Sequence, residues 1–134
     1  MARKVSKKDS ARDLAIAAAR IARDDNCEEI VVLDLRGISP VTDYFVIATG
    51  TSDRQMRAVA ADVADHGKAL GQKVWHVAGQ DAADWVCMDF VDVVVHLFDQ
   101  KHRRYYDLEV MWGEAPPVDW QGEAGRARRD RVGK

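Results

Sequence analysis

Residues 84–112 read DWVCMDFVDVVVHLFDQKHRRYYDLEVMW, and this stretch decides the fold. It contains a short apolar run at residues 85–88 and a longer, valine-rich run at residues 92–98. β-Branched and aromatic side chains fit a pleated, half-buried surface, so both runs predict strands. Only residues 89–91 connect them. So short a connection predicts an antiparallel hairpin, because parallel strands need a much longer crossover.

The spacing of the apolar residues changes after the hairpin. Tyr105, Leu108, Met111 and Trp112 recur at helical intervals, which places their side chains on one face of a helix. The hairpin is therefore predicted to lead into a helix that packs this apolar face on the protein.

The earlier part of the chain adds two helices and three strands to this module. Ser10 is a candidate N-cap of the first helix. Ser52 and Gln55 have the spacing of a capping box that starts the second helix, and Gly71 is its candidate C-cap. Strands are predicted at residues 29–35, 44–48 and 73–77. The order helix, strand, strand, helix, strand, strand, strand, helix predicts an α/β fold with helices packed on a mixed sheet of about five strands.

Length and composition indicate one globular domain. The chain has 134 residues, of which 47% are hydrophobic and 31% charged, as is typical of a folded protein. We expect the domain at residues 9–113, a flexible basic arm at residues 1–8 and a flexible Arg-rich tail at residues 114–134. Apolar runs are far shorter than the ~20 residues of a membrane span, and no signal peptide is expected. The two cysteines lack metal or redox spacing and are expected to be reduced thiols in a cytosolic protein.

Charge is unevenly distributed along the chain. The formal net charge is −2, but residues 1–12 carry +4 and residues 123–134 carry +3, which leaves −9 on residues 13–122. Phosphate would repel an acidic body, so direct binding of nucleic acid by this part of the chain is not expected. A basic protein surface is a better electrostatic match. The alternative is that the acidic residues only keep the domain soluble.

The sequence shows no recognisable catalytic constellation. Residues 49–52, Thr-Gly-Thr-Ser, lead from a strand into a helix N-terminus that could hold an anion, but they lack a phosphate-binding consensus, and a turn with a helix cap explains them better. Asp89, Asp92 and His96 could hold a divalent ion, yet aspartates are common in turns and further ligands are missing. We therefore predict no catalytic residue, no metal site and no cofactor.

Two long motifs resemble the ribosomal silencing factor (Iojap-like) family. The first is DLRGISPVTDYFVI at residues 34–47, followed by TGTS at residues 49–52. The second runs from Asp-Trp-Val at residues 84–86 through Asp89 and DVVVH at residues 92–96 to the segment 103–112. The resemblance spans roughly residues 9–113. Because two motifs occur in the right order, it is specific.

Two positions depart from the family pattern. Gln80 and Asp81 stand where the family usually has Glu-Gly, and Val91 stands where the hairpin turn usually has glycine. Because valine disfavours positive φ, we expect the type of turn to differ in this chain.

The resemblance implies a fold similar to nucleotidyltransferases but without their paired catalytic acids, and a function without catalysis. Members of the family bind the large ribosomal subunit through its ribosomal protein fourteen, block joining of the small subunit and lower translation when nutrients are scarce. The implied location is the bacterial cytoplasm. An acidic body would complement a basic ribosomal protein, and the basic ends are expected to assist by contacting ribosomal RNA. A nucleotidyltransferase-like enzyme or nucleotide-binding protein and a homodimer of the free protein stay as alternatives.

Six residues are candidates for the partner-binding surface, because interface energy concentrates in a few aromatic or arginine anchors with a polar rim. The set consists of one anchor and its predicted neighbours: Trp85, with Asp84, Asp89, His96, Tyr106 and Glu109. Three of the six have a plainer explanation. Trp85 could belong to the core, the tyrosine could be half-buried packing, and the glutamate could pair with a nearby arginine.

Overall fold

The computed structural model of the protein describes residues 7–79, 85–105 and 113–122. Over these residues the chain has an α/β fold, and its elements follow the predicted order. They are α1 (Lys7–Asp24), β1 (Glu28–Asp34), β2 (Tyr44–Thr49), α2 (Asp53–Ala69), β3 (His76–Ala78), β4 (Trp85–Asp89), β5 (Val93–Phe98) and α3 (Gln100–Tyr105). Each of the described helices is too short or too polar to span a lipid bilayer.

The strands form one mixed five-stranded sheet, as predicted, and their order in it is β1-β2-β5-β4-β3. β2 and β5 are parallel neighbours at its centre, and every other neighbouring pair is antiparallel. In the β4–β5 pair, Trp85 lies opposite Phe98 and Cys87 lies opposite His96. The predicted antiparallel hairpin is therefore confirmed.

α1 and α2 cover one face of the sheet, which we call the helix face. Small side chains dominate the buried stripe of α1, so this helix can lie close to the strands. The stripe consists of Ala11, Leu14, Ala15, Ala18, Ala19 and Ala22. Val46, Met88 and Val95 of the strands belong to the same core cluster. This face holds most of the apolar core.

The opposite side of the sheet, which we call the second face, has a separate and smaller core. Its buried members include Leu33, Ile47 and Phe98, and Phe45 and Trp85 pack against them while staying partly exposed. Because successive side chains of a strand point to opposite faces, the two clusters use alternate residues of the same strands.

α1 begins earlier than predicted. The helix starts at Lys7, so Ser10 lies inside it and is not the N-cap. Lysine is a good helix former, which lets the helix extend through the basic residues before the serine. The main-chain and side-chain oxygens of Ser10 both accept hydrogen bonds from the Gln72 side chain at 2.7 Å. The serine therefore ties α1 to the segment that follows α2.

The predicted ends of α2 are confirmed. Ser52 is the N-cap, and its hydroxyl accepts a hydrogen bond from the Gln55 main-chain N–H at 3.1 Å. The Gln55 side chain accepts in return from the Thr51 N–H, one residue earlier than the usual capping box. At the other end Gly71 has φ +78°, and the Gln72 N–H donates to the Gly67 carbonyl at 2.7 Å. This is the Schellman arrangement that favours glycine after a helix.

β3 is shorter than predicted and begins at His76, not at residue 73. Gln72 still satisfies a carbonyl of the last turn of α2 and binds Ser10, so the chain leaves the helix only after it. Trp75 is 73% exposed, and its N–H donates to the Asp89 carbonyl at 2.7 Å just before the strand begins.

Residues 113–122 are packed on the fold, which corrects the prediction that a flexible tail begins at residue 114. The Val118 N–H donates to the Val32 carbonyl at 2.8 Å, and the Asp34 N–H donates to the Pro116 carbonyl at 2.9 Å. Trp120 is only 8% exposed and joins the core of the helix face. We call residues 115–120 the edge strap, because they run along the outer edge of β1. Pro116 and Pro117 lie within this irregular strap.

The hairpin turn holds Val91 at φ +77°, so the valine adopts a positive φ that its side chain disfavours. The Val91 N–H donates to Oδ1 of Asp89 at 2.7 Å, and the Asp92 N–H donates to the Phe90 carbonyl at 3.0 Å. The bond from Asp92 to Phe90 closes a γ-turn around Val91, and a γ-turn whose central residue has φ near +75° is the rare, strained form. The aspartate holds the valine in a conformation that β-branched residues rarely adopt.

Several predicted features lie outside the described residues. They are the basic arm up to residue 6, the departure at Gln80 and Asp81, the apolar stripe at Leu108, Met111 and Trp112, and the Arg-rich end from residue 123. The helix that carries the stripe is described only as α3, Gln100–Tyr105.

Candidate functional site

An aromatic cluster lies on the second face where β2, β5 and β4 are neighbours. It consists of Phe45, Trp85, His96 and Phe98. The Trp85 and Phe98 rings stack with centroids 5.1 Å apart, and Phe45 meets the His96 ring edge-on at 4.6 Å. His96 and Phe98 are buried, whereas Phe45 and Trp85 are partly exposed. The cluster is therefore a half-covered apolar surface with a buried floor.

A hydrogen bond joins the two predicted site residues of this cluster. Nε1 of Trp85 donates to Nδ1 of His96 at 3.1 Å. An Nδ1 that accepts must be unprotonated, so the neutral ring carries its proton on Nε2. Burial lowers the pKa of His96 from 6.5 to about 4, which keeps the ring neutral. The tryptophan N–H thereby fixes one tautomer of the histidine, and the bond fixes the orientation of the indole.

The proton on Nε2 of His96 is buried without a hydrogen-bond partner among the described residues. Leaving a buried donor unpaired costs about 1–3 kcal/mol. His96 is only 5% exposed, so its side chain lies almost wholly inside the protein.

The structure brings together only part of the predicted site. Trp85 and Asp89 lie on the same side of β4, since they are an even number of residues apart, and His96 faces them from β5. The Asp89 carboxylate is engaged in the hairpin turn through the Val91 N–H. Asp84, Tyr106 and Glu109 lie outside the described residues.

Phe45 and Phe98 belong to this surface but were not predicted from the sequence. Both lie in strands that the sequence identifies, and alternation alone places Phe98 on the same face as His96. Phe45 comes from β2, and it reaches the cluster only because β2 is the parallel neighbour of β5. No sequence signal gives that pairing.

The anion site considered at residues 49–52 has acidic walls. A pocket of about 250 Å³ lies at the start of α2, where the carboxyl ends of the parallel strands β2 and β5 meet. Glu28, Asp53 and Asp99 line it together with Thr51 and Ser52. These carboxylates would repel a free phosphate, so the pocket does not favour a simple anion site. Within the part of the chain that the structure describes, no group of three or more histidine, cysteine or acidic side chains could hold a metal ion.

Comparison with known proteins gives consistent matches. The family model described as "Ribosomal silencing factor during starvation" matches residues 8–133. A ribosomal silencing factor RsfS from Bacillus subtilis is 46% identical over 106 residues, which is 79% of this chain and 89% of the relative. The RsfS of Halalkalibacterium halodurans is 36% identical over 113 residues, which is 84% of this chain and 97% of the relative. A crystal structure of a Chromobacterium violaceum protein superposes with a TM-score of 0.71 at 32% identity and covers 81% of this chain and 88% of that one.

Proposed function

Because the chain belongs to the ribosomal silencing factor family, we propose that it represses translation by binding the large ribosomal subunit. The partner is ribosomal protein fourteen of that subunit, and the bound protein blocks joining of the small subunit in starvation. The protein then acts as a steric obstacle and needs no catalytic chemistry. Such a repressor works where translation takes place, in this case the cytoplasm of a bacterium.

The aromatic cluster is the observation that supports this proposal. Protein interfaces concentrate their energy in a few tryptophan, tyrosine or arginine anchors that fit into well-packed surroundings. Trp85 is such an anchor: its indole is stacked on Phe98, hydrogen-bonded to His96 and still partly exposed. An anchor that is already held in place loses little conformational freedom on binding.

Charge supports the same kind of partner. Residues 13–122 carry −9, which steers association toward a basic ribosomal protein and away from bare RNA. The basic ends of the chain, residues 1–12 and 123–134, would then add contacts with ribosomal RNA at the edge of the bound protein. Asp84, Tyr106 and Glu109, which lie outside the described residues, stay predicted members of the proposed surface.

Co-sedimentation with purified subunits tests the proposal. We expect the protein to migrate with the large subunit and not with the small one, and to lower the yield of joined ribosomes when both are mixed. Joined ribosomes that form in full at saturating protein, with no protein on the large subunit, would reject it. Sizing the free protein in the same buffer shows whether a homodimer must dissociate first.

A further inference from the structure

α1 and α2 enclose a second surface that the proposed interface does not use. It is an open groove of about 410 Å³ on the outer side of the helix layer. Its floor is apolar and half-buried and consists of Ile16, Ala17 and Ile21 of α1. The carboxylates of Asp13 and Asp24 flank this floor. We call it the α1–α2 groove.

The end of the groove at the C-terminus of α1 is negatively charged. Burial raises the pKa of Asp25, and a hydrogen bond with Asp62, together with the charges of Asp62 and Asp24, raises it further. Arg23 offsets part of this charge through its ion pair with Asp24, in which Nε and Oδ1 are 3.1 Å apart. The C-terminal end of a helix dipole adds to the negative potential. The groove lining also holds Arg20 and His66, but its two aspartates outnumber the one arginine, so a basic occupant fits this surface.

The described chain ends at the edge of this groove. Arg20, which lines the groove, donates from Nε to the Trp120 carbonyl at 2.8 Å, and Arg23 lies over the Trp120 ring at 5.8 Å. Gly122 follows directly, so close that a Cβ added there would be 2.9 Å from Nη2 of Arg20. The chain that leaves the edge strap therefore reaches the edge of the groove at Gly122, and residue 123 continues from there.

The segment that follows has the matching charge and enough length. Residues 123–134 read EAGRARRDRVGK and carry +3. Fully extended, twelve residues reach about 40 Å. The stretch of α1 from Asp24 back to Asp13 is only about 17 Å long. Arginine can lay its aliphatic stem on an apolar surface while its guanidinium reaches a carboxylate.

We propose that the Arg-rich segment 123–134 binds the α1–α2 groove of its own chain. Its arginine stems cover the apolar floor, and their guanidinium groups approach Asp13 and Asp24. Each exposed ion pair contributes little, but attachment at Gly122 gives the segment a high effective concentration at the groove. The bound segment is withheld from phosphate until a stronger polyanion displaces it.

Limited trypsin digestion of the full-length chain tests this proposal, because trypsin cuts after the arginines of the segment. The test variant is Asp13→Asn with Asp24→Asn, which removes two exposed charges of the groove. We expect trypsin to cut its segment 123–134 at least about threefold faster than in the unmodified chain, since the segment would spend more time unbound. Added salt should raise the rate for the unmodified chain toward that of the variant.

The matched control is Glu28→Gln with Asp53→Asn, which removes two exposed charges at the start of α2, away from the groove. It should leave the cleavage rate of the segment unchanged. Equal cleavage rates in the groove variant and the unmodified chain would overturn the proposal. Weaker large-subunit binding by the groove variant, at an unchanged cleavage rate, would also overturn it and assign the groove to a partner protein. The cleavage rates are independent of whether the aromatic cluster binds the ribosome.

Discussion

Trp85 could serve the core, the interface or both, and its sequence position does not decide between them. In the structure it packs in the second-face core and is also partly exposed. We predict that Trp85→Ala weakens large-subunit binding by at least about tenfold, as loss of an anchor does. It should also lower the free energy of unfolding by roughly 2–3 kcal/mol, because a half-buried indole is removed. Co-sedimentation and urea unfolding measure the two effects.

Trp75 provides the matched control, because it is 73% exposed. Trp75→Ala should change the free energy of unfolding by less than about 0.5 kcal/mol and leave subunit binding intact. If Trp85→Ala lowers only stability, Trp85 is a core residue and the proposed anchor is wrong.

His96 makes stability depend on pH in a defined direction. Its pKa is lowered to about 4 in the folded protein and lies near 6.5 when unfolded, so the unfolded chain binds more protons between these values. The contribution of the neutral His96 ring to the stability of the fold is complete above pH 6.5 and is lost as the pH falls toward 4. We predict that the titration of His96 alone lowers the free energy of unfolding by about 2 kcal/mol between pH 7.5 and pH 5.

Urea unfolding at both pH values measures this loss, with His96→Leu as the variant that cannot titrate. The variant should lose about 2 kcal/mol less than the unmodified chain over the same interval. His66→Gln, at an exposed position of α2, should behave like the unmodified chain. Equal losses in all three proteins would contradict the buried neutral ring.

At the scale of elements, the β4–β5 turn carries strain that a single substitution can remove. Val91 has φ +77° and is 51% exposed, so its side chain contributes little burial in return. We predict that Val91→Gly raises the free energy of unfolding by about 1 kcal/mol, because glycine adopts this φ without a steric penalty. Val91→Ala keeps a Cβ and should gain much less. Denaturant midpoints that are equal for the glycine and alanine variants would show that the turn stores no such strain.

The edge strap is the second element whose contribution can be measured. Trp120 is 8% exposed and packs with the helix-face core, so Trp120→Ala should cost about 3 kcal/mol. The outer edge of β1 would lose its cover as well, and open strand edges pair with other chains. Urea unfolding and sizing of the variant report both effects. Unchanged stability would mean that the strap does not hold the fold together.

The sequence predicts elements well where local chemistry decides them and poorly where distant contacts do. The capping pattern of Ser52 and Gln55 and the glycine after α2 are local signals, and both predictions are confirmed. Ser10 fails as a cap because the helix already begins at Lys7, and the serine instead accepts hydrogen bonds from Gln72, far along the chain. The strap fails for the same reason: glycine and proline mark irregular backbone but do not tell whether it packs.

At the scale of the whole molecule, the Arg-rich end should control the salt dependence of ribosome binding. We predict that replacing Arg126, Arg128, Arg129 and Arg131 with glutamine flattens the slope of log K against log salt by roughly 1 to 3, since each phosphate contact steepens it by about 0.7–0.9. Arg54→Gln with Arg57→Gln, at exposed positions of α2, is the control. An unchanged slope in the Arg-rich variant would reject the contact with ribosomal RNA.

The fold class follows from the order of the elements, but the candidate site does not follow from the sequence alone. Trp85 and His96 are close because β4 and β5 form a hairpin, which the short connection predicts. Phe45 joins them only through the parallel pairing of β2 with β5, for which the sequence has no local signal. The site is therefore predictable up to the hairpin and not beyond it.

That parallel pairing also sets the order of events when the chain is made. Tyr44 pairs with Val93 and Thr49 with Phe98, so the middle of the sheet stays open until residue 98 has been synthesised. The β1–β2 hairpin can form as soon as it leaves the exit tunnel, but it must wait for its central neighbour while the second helix and two more strands emerge. Non-local pairing of this kind slows folding, and until β5 is available it leaves the unpaired edge of β2 open to aggregation. A nascent chain stalled before residue 93 should therefore be protease-sensitive and inclined to aggregate, whereas one stalled well after it should already be compact.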